Sequence, residues 1–153
     1  MVTLSVLLTQ LKDTTSEHPM TTAIAKLITK HSLHSINSNT SLKDTVKQLL
    51  ASELSSLPVV DEEDQVIGII DQQQCHRAML NSSYYCDKPV IVNDIMNTNF
   101  ITITNEQQLA DISILTAHSN QNIFPVIANK RLANNITRSQ IPFYLDQNLS
   151  LCN

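Results

Sequence analysis

The side chains with the most chemistry to offer are few and scattered. His31 and His34 stand three residues apart, but a catalytic zinc needs three placed protein ligands and no third is identifiable beside them. Cys75-His76 and Cys86 would make a thiolate pair only if the fold joined them, so the expectation is a buried, inert Cys75. The three cysteines (Cys75, Cys86 and Cys152) are an odd number without paired spacing. They predict neither a disulfide framework nor a zinc site, and they suit a reducing, cytoplasmic compartment. Asp61-Glu62-Glu63-Asp64 concentrates negative charge, yet four adjacent acids repel and stay solvated, which predicts a turn rather than a metal site. Gly68 is the chain's one glycine, so no glycine-rich phosphate loop or dinucleotide fingerprint can be built. No catalytic set assembles from these groups, and an enzyme is not expected.

The elements that must position these residues follow from the apolar pattern. The 153 residues, 42% hydrophobic, suffice for about one domain with a real core. The net charge of -4, without a basic stripe, argues against a nucleic-acid partner. Leu4, Val6, Leu7, Leu8 and Leu11 cluster at the start, but the run is too short to span a bilayer and has no charged n-region before it. They predict an amphipathic helix over 1–12, lying on the domain or on a second subunit. A turn-rich stretch over 13–19 precedes a second helix from Met20 to Lys30.

A short strand is expected over Leu33–Ile36, then a helix over 41–52 with Leu42, Val46, Leu49 and Leu50 on one face. Leu57–Val60 reads as a buried strand, with Pro58 placing it at an edge or a strand start. Val66–Ile70 completes a hairpin, and a helix capped by Asp71 runs to about Leu80. Residues 81–91 form a linker. The second half gives a helical turn at Val92–Met96, a strand at Phe100–Ile103 and a helix over Glu106–Ala117 with Leu109, Ile112 and Leu115 on one side. A hairpin of Ile123–Ile127 and Leu132–Ile136 follows. The last helix, within Arg138–Leu145, is expected to begin at or after Pro142 or to be irregular, and the tail over 147–153 to fray.

The two halves superpose. Ile36 meets Ile103, Leu42 meets Leu109, Asp44 meets Asp111 and Pro58 meets Pro125, each 67 residues apart. Beyond the hairpin turn the offset drops by one, so that Val66 meets Leu132, Gly68 meets Asn134 and Ile70 meets Ile136. A deletion in a surface turn is the cheapest place for that change. Element order repeated with this regularity implies an internal duplication.

Ser55-Ser56-Leu57-Pro58-Val59-Val60-Asp61, then Val66-Ile67-Gly68-Ile69-Ile70-Asp71, with Asp94-Ile95-Met96 heading the second half, resembles the cystathionine β-synthase (CBS) domain. Two in tandem form a Bateman module. The resemblance covers about residues 20–146 and implies an α+β (α/β-like) fold. Two β-α-β-β-α repeats, 20–80 and 92–146, would pack about a pseudo-two-fold axis behind an N-terminal helix and linker at 1–19. It further implies clefts between the repeats that take AMP, ADP, ATP or S-adenosylmethionine, none of them required for folding. Self-association as a homodimer through helix faces, and signalling to a separate effector protein, are also implied; membrane association is not.

In that family a Gly-h-h-Thr-x-x-Asp signature ends the second hairpin strand. Its Thr and the helix N-terminus face a phosphate, and its Asp accepts the ribose hydroxyls. Here Gly68 is present, but Asp71 and Gln74 replace the Thr and Asp of the first copy. In the second copy Thr137 is kept and Arg138 follows it, while Asn134 and Gln140 replace the Gly and Asp. Losing a charge-assisted hydrogen bond costs about 1.5–3 kcal/mol. The resemblance therefore favours a cleft using Thr137, Arg138 and Gln140, with Ile101, Phe124 and Pro125 lining a base pocket. The corresponding first-copy residues are His34, Leu57, Pro58, Asp71 and Gln74. The alternative role is a scaffold whose clefts bind nothing and which acts through dimerisation and protein contact.

Overall fold

The computed structural model describes residues 33–84 and 88–149. The helices expected over 1–12 and 20–30, together with His31, Cys86 and Cys152, lie outside the described residues. The first unit contains β1 (Ile36–Asn37), α1 (Leu42–Ser52), β2 (Ser56–Val60), β3 (Val66–Asp71) and α2 (Gln72–Tyr84). The connecting chain carries α3 (Val92–Ile95), and the second unit contains β4 (Ile103–Thr104), α4 (Leu109–Thr116), β5 (Ile123–Ala128), β6 (Arg131–Thr137) and α5 (Gln140–Leu149). Each unit builds a three-stranded sheet, ordered β1-β2-β3 and β4-β5-β6, with a parallel first pair and an antiparallel second pair. The fold is the expected α+β duplication.

Pro58 and Pro125 stand in middle strands, not at sheet edges. The sheets tolerate this because β1 pairs only with Val59 and Val60, and β4 only with Val126 and Ile127. At each proline that side of the strand has no partner, so a missing N–H costs no ladder bond. The one-residue change in repeat offset falls in the hairpin turns. Asn129 and Lys130 both adopt positive φ, 52° and 64°, as a two-residue turn with the twist of a hairpin requires. The first turn spans 61–65, and there the Asp61 carboxylate accepts from the Glu63 and Gln65 N–H groups, both at 2.9 Å. The acidic run is thus a turn held by its first side chain.

Several expected boundaries move for local reasons. β4 starts at Ile103 rather than Phe100, because the side chain of Gln121, not a strand, satisfies both backbone groups of Ile101. α4 starts at Leu109 rather than Glu106, since the chain is still extended at Gln108 (ψ 154°). α5 begins two residues before Pro142. The proline falls in the first turn, where its missing N–H has no intrahelical partner to lose. α2 continues to Tyr84. α1 is capped by Ser41, whose Oγ accepts from Asp44 N at 3.1 Å.

The helix faces also differ from expectation. α1 buries Leu42, Thr45 and Leu49 and exposes Leu50, while α4 buries Leu109, Ile112 and Thr116 and exposes Leu115. Thr45 and Thr116 are buried at no polar cost, since each hydroxyl donates to the carbonyl four residues back, at 2.8 and 2.7 Å.

Two cores result. The first gathers Ile36, Leu42, Leu57, Val59, Ile70 and Cys75; the second Ile103, Leu109, Ile112, Phe124, Val126 and Ile136. Val92 of α3 is fully buried in the first core, not the second. The chain around it is stitched to the first unit by backbone bonds. Val92 N donates to Thr40 O, Asn93 N to Ser38 O, and Ile69 and Asn97 exchange bonds of 2.9 and 2.8 Å. The connecting segment thereby ties the units together.

A candidate pair of inter-unit clefts

The units meet along β2 and β5. At both ends of that seam a hairpin strand passes into a helix, and a cleft opens at each junction. The first cleft, about 420 Å³, takes Ser56, Ile69, Asp71, Gln73 and Gln74 from the first unit and Asn97 and Asn99 from the connecting chain. Its opposite wall is the 119–122 loop (Ser119, Asn120, Gln121, Asn122) of the second unit. The second cleft, about 530 Å³, takes Glu53, Leu54, Ser55 and Ser56 from the first unit. Asn122, Ile123, Thr137, Arg138, Ser139 and Pro142 complete it. The repeat offset maps Asp71 onto Thr137, Gln73 onto Ser139, and Gln121 and Asn122 onto Leu54 and Ser55. The clefts are mates under the internal symmetry, and they share Ser56 and Asn122.

The strand-to-helix junctions are held alike. In the first, Gln74 N donates to Asp71 Oδ1 at 2.7 Å, and Asp71 N to Gln74 Oε1 at 2.9 Å. In the second, Thr137 N donates to Gln140 Oε1 at 2.8 Å. Each glutamine stands where the resemblance placed a ribose acceptor, and each spends its amide oxygen on a backbone N–H at the start of a helix.

Arg138 is likewise engaged. Its Nε donates to Gln121 O at 3.0 Å, its Nη2 donates to Ser119 O, and the guanidinium lies 5.8 Å from the centroid of the Phe124 ring. A planar guanidinium suits this, because it can serve two carbonyls and stack on a ring together. Arg138 lines the second cleft while bracing the loop that walls the first.

The other expected residues sit deeper. Leu57 and Phe124 are buried in the two cores, and Pro58 and Pro125 are buried in their strands. Ile101 is half-buried against the second core. His34 is half-buried, and its carbonyl accepts from Asn135 Nδ2 at 2.7 Å, a contact between the units. The structure therefore brings Asp71 with Gln74, and Thr137 with Arg138, to the clefts.

The residues that sequence reasoning passed over are the amides of the walls, Asn97, Asn99 and the 119–122 loop. Their density in two turn-like stretches was the available signal. Gly68 has a role other than admitting a ligand: a Cβ there would lie 2.6 Å from Met96 Sδ, so the place is already filled by protein.

A separate apolar groove of about 380 Å³ lies between α1 and α2, lined by Val46, Leu49, Leu50, Cys75 and Met79 among others. Burial, and secondarily the Asp71 carboxylate, push the Cys75 thiol pKa up. No group of three or more His, Cys, Asp or Glu side chains suited to a metal occurs among the described residues. No helix among them is long and apolar enough to cross a membrane.

Duplicated units of this topology, meeting along a seam with paired clefts, define a tandem module. Residues 23–81 match the CBS domain family model. That match covers the first unit, and the fold of the chain is that of tandem CBS pairs. Among solved structures it resembles CBSX2 from Arabidopsis thaliana at 19% identity and TM-score 0.68, covering 82% of this chain and 94% of that one. CBSX2 is also known in complex with AMP. AcuB from Vibrio cholerae gives 22% identity and TM-score 0.71, covering 86% and 95%. The CBS domain pair of MJ0100, solved with 5′-methylthioadenosine and S-adenosyl-L-methionine, gives 23% and 0.65, covering 82% and 97%. By sequence, the chain is 22% identical over 110 residues to MJ1225, an uncharacterised protein of Methanocaldococcus jannaschii. That match covers 72% of this chain but only 38% of the relative's length.

Proposed function

We propose that this protein is a non-catalytic regulatory module of the cytoplasm, taking an adenosine-type compound in an inter-unit cleft and signalling to a separate partner. The observation that carries this is the pair of symmetry-related clefts at the two strand-to-helix junctions, each walled by both units. A ligand seated there touches both halves at once, so its binding energy can shift how they sit together. The complexes of CBSX2 with AMP and of the MJ0100 pair with methylthioadenosine and S-adenosylmethionine support the ligand class. The second cleft, with Thr137 and Arg138, is the candidate for a phosphorylated compound.

Self-association as a homodimer belongs to the same proposal. Leu50 is 78% exposed, Ile114 76% and Phe143 55%, all on helices. A second copy would cover them as symmetric pairing commonly does.

A scaffold role without ligand is favoured by one observation, that Gln74, Gln140 and Arg138 already serve the protein's own backbone. Thermal denaturation with AMP, ADP, ATP, S-adenosylmethionine and NAD separates the two. A saturable rise in Tm with one of them supports sensing, and no shift at millimolar concentration leaves the scaffold.

A further inference from the structure

The first cleft has a composition unlike its mate's. Asp71 is the one charged side chain among its described lining residues. Most of the remainder are primary amides, Gln73 and Gln74 on one side and Asn97, Asn99, Asn120 and Asn122 among those facing them. No lysine, arginine or histidine is among them. The feature that otherwise attracts anions at such a junction, the N-terminus of α2, already holds a carboxylate: Asp71 Oδ1 accepts from Gln74 N at 2.7 Å.

A phosphate placed here would lose its water, gain no cation and face the Asp71 charge. A neutral ligand with many donors and acceptors meets the opposite situation. An amide carries two donors and an acceptor, and although the Gln74 and Asn97 oxygens already accept from Asp71 N and Asn99 N, their donors and the amides of Gln73, Asn99, Asn120 and Asn122 can match ribose hydroxyls and pair with the edge of a purine. The wall is braced rather than loose. Gln121 bonds Ile101 N and O and Ile123 O at 2.7–2.8 Å, and Arg138 holds the carbonyls of Ser119 and Gln121 from behind. A cavity of about 420 Å³ falls in the range that encloses small ligands.

We infer that the first cleft binds uncharged nucleosides and rejects their phosphorylated forms, with Asp71 as the residue that sets this selectivity and Arg138 as a positioning residue for the amide wall. This rests on the proposal above that an inter-unit cleft takes an adenosine-type compound, and it adds the charge class.

Titration calorimetry of the full chain with adenosine and with AMP, on wild type, Asn120→Leu and Asp71→Asn, tests it. Asn120 is exposed, and asparagine caps a helix as well as aspartate does, so both variants fold. Adenosine should bind wild type at least about tenfold more tightly than AMP at this cleft. Asn120→Leu should weaken adenosine by a similar factor, and Asp71→Asn should narrow the gap by strengthening AMP. Equal or tighter AMP binding that depends on Asn120 would overturn the inference while leaving an adenosine-binding module standing. Adenosine binding indifferent to Asn120→Leu would do the same by placing the ligand in the other cleft. Binding of neither compound would remove both.

Discussion

Gly68 and Met96 lie so close that any side chain at the first would displace the second: a Cβ on Gly68 would be 2.6 Å from Sδ and 2.8 Å from Cγ of Met96. The contact joins the first sheet to the connecting chain beside the Ile69–Asn97 backbone pair, on the flank of the first cleft. Gly68→Ala should therefore destabilise the protein by about 1–3 kcal/mol, the usual cost of overpacking. Met96→Ala in the same chain should recover part of that loss. Urea denaturation of the two single variants and the double variant measures the coupling, and strictly additive effects would contradict the contact.

The junction glutamines should matter to folding whether or not a ligand is present. Gln74→Ala and Gln140→Ala each remove an acceptor from a part-buried backbone N–H at the start of a helix. Each should cost about 0.5–2 kcal/mol, as lost helix caps do. Unchanged midpoints in thermal denaturation would refute the capping role.

Arg138 braces the 119–122 loop through two carbonyls. Arg138→Lys keeps the charge but not the fork, so it should behave nearly as Arg138→Ala does. Hydrogen exchange at residues 119–122 should quicken in both variants, with a stability loss of about 1–3 kcal/mol. Full protection in the lysine variant would show that charge alone suffices.

Cys75 is 2% exposed and its pKa is raised by burial and then by Asp71. The folded thiol keeps its proton at a pH where the unfolded one, near about 8.5, loses it. Proton binding thus favours the folded state below that pH, and stability should fall as pH rises through about 8.5 toward the folded value. Cys75→Ser should flatten this alkaline slope in pH-dependent unfolding. Native alkylation of Cys75 at neutral pH should be slow, and rapid labelling would contradict its burial.

Leu50→Glu and Ile114→Glu place charges on exposed helix positions and should fold normally. If a second copy covers these faces, light scattering should report a dimer in wild type and a monomer in the double variant. A wild-type monomer at high concentration would remove dimerisation from the account.

Duplication was legible because it is written in apolar spacing, which burial enforces at both Ile36 and Ile103 and at both Leu42 and Leu109. The hairpins were legible for the same reason. Boundaries set by single side chains were not. Nothing local to Phe100–Ile103 announces that Gln121 will take over the backbone of Ile101 from twenty residues away. Nor does Arg138 reveal, beside Thr137, that its guanidinium turns back onto Ser119 and Gln121. The clefts were located in outline through Asp71, Gln74, Thr137 and Arg138. Their far walls come from other parts of the chain, and only folding brings Asn97, Asn99 and the 119–122 loop opposite them.

The proposed role requires that an inter-unit cleft take an adenosine-type compound. Titration calorimetry of the full chain with adenosine, AMP and S-adenosylmethionine, repeated on Asn120→Leu and on Thr137→Ala, tests it most directly. At least one compound should bind saturably, weakened about tenfold or more by one of the two substitutions. Absence of saturable binding by all three at millimolar concentration, or binding unaffected by either substitution, would contradict it.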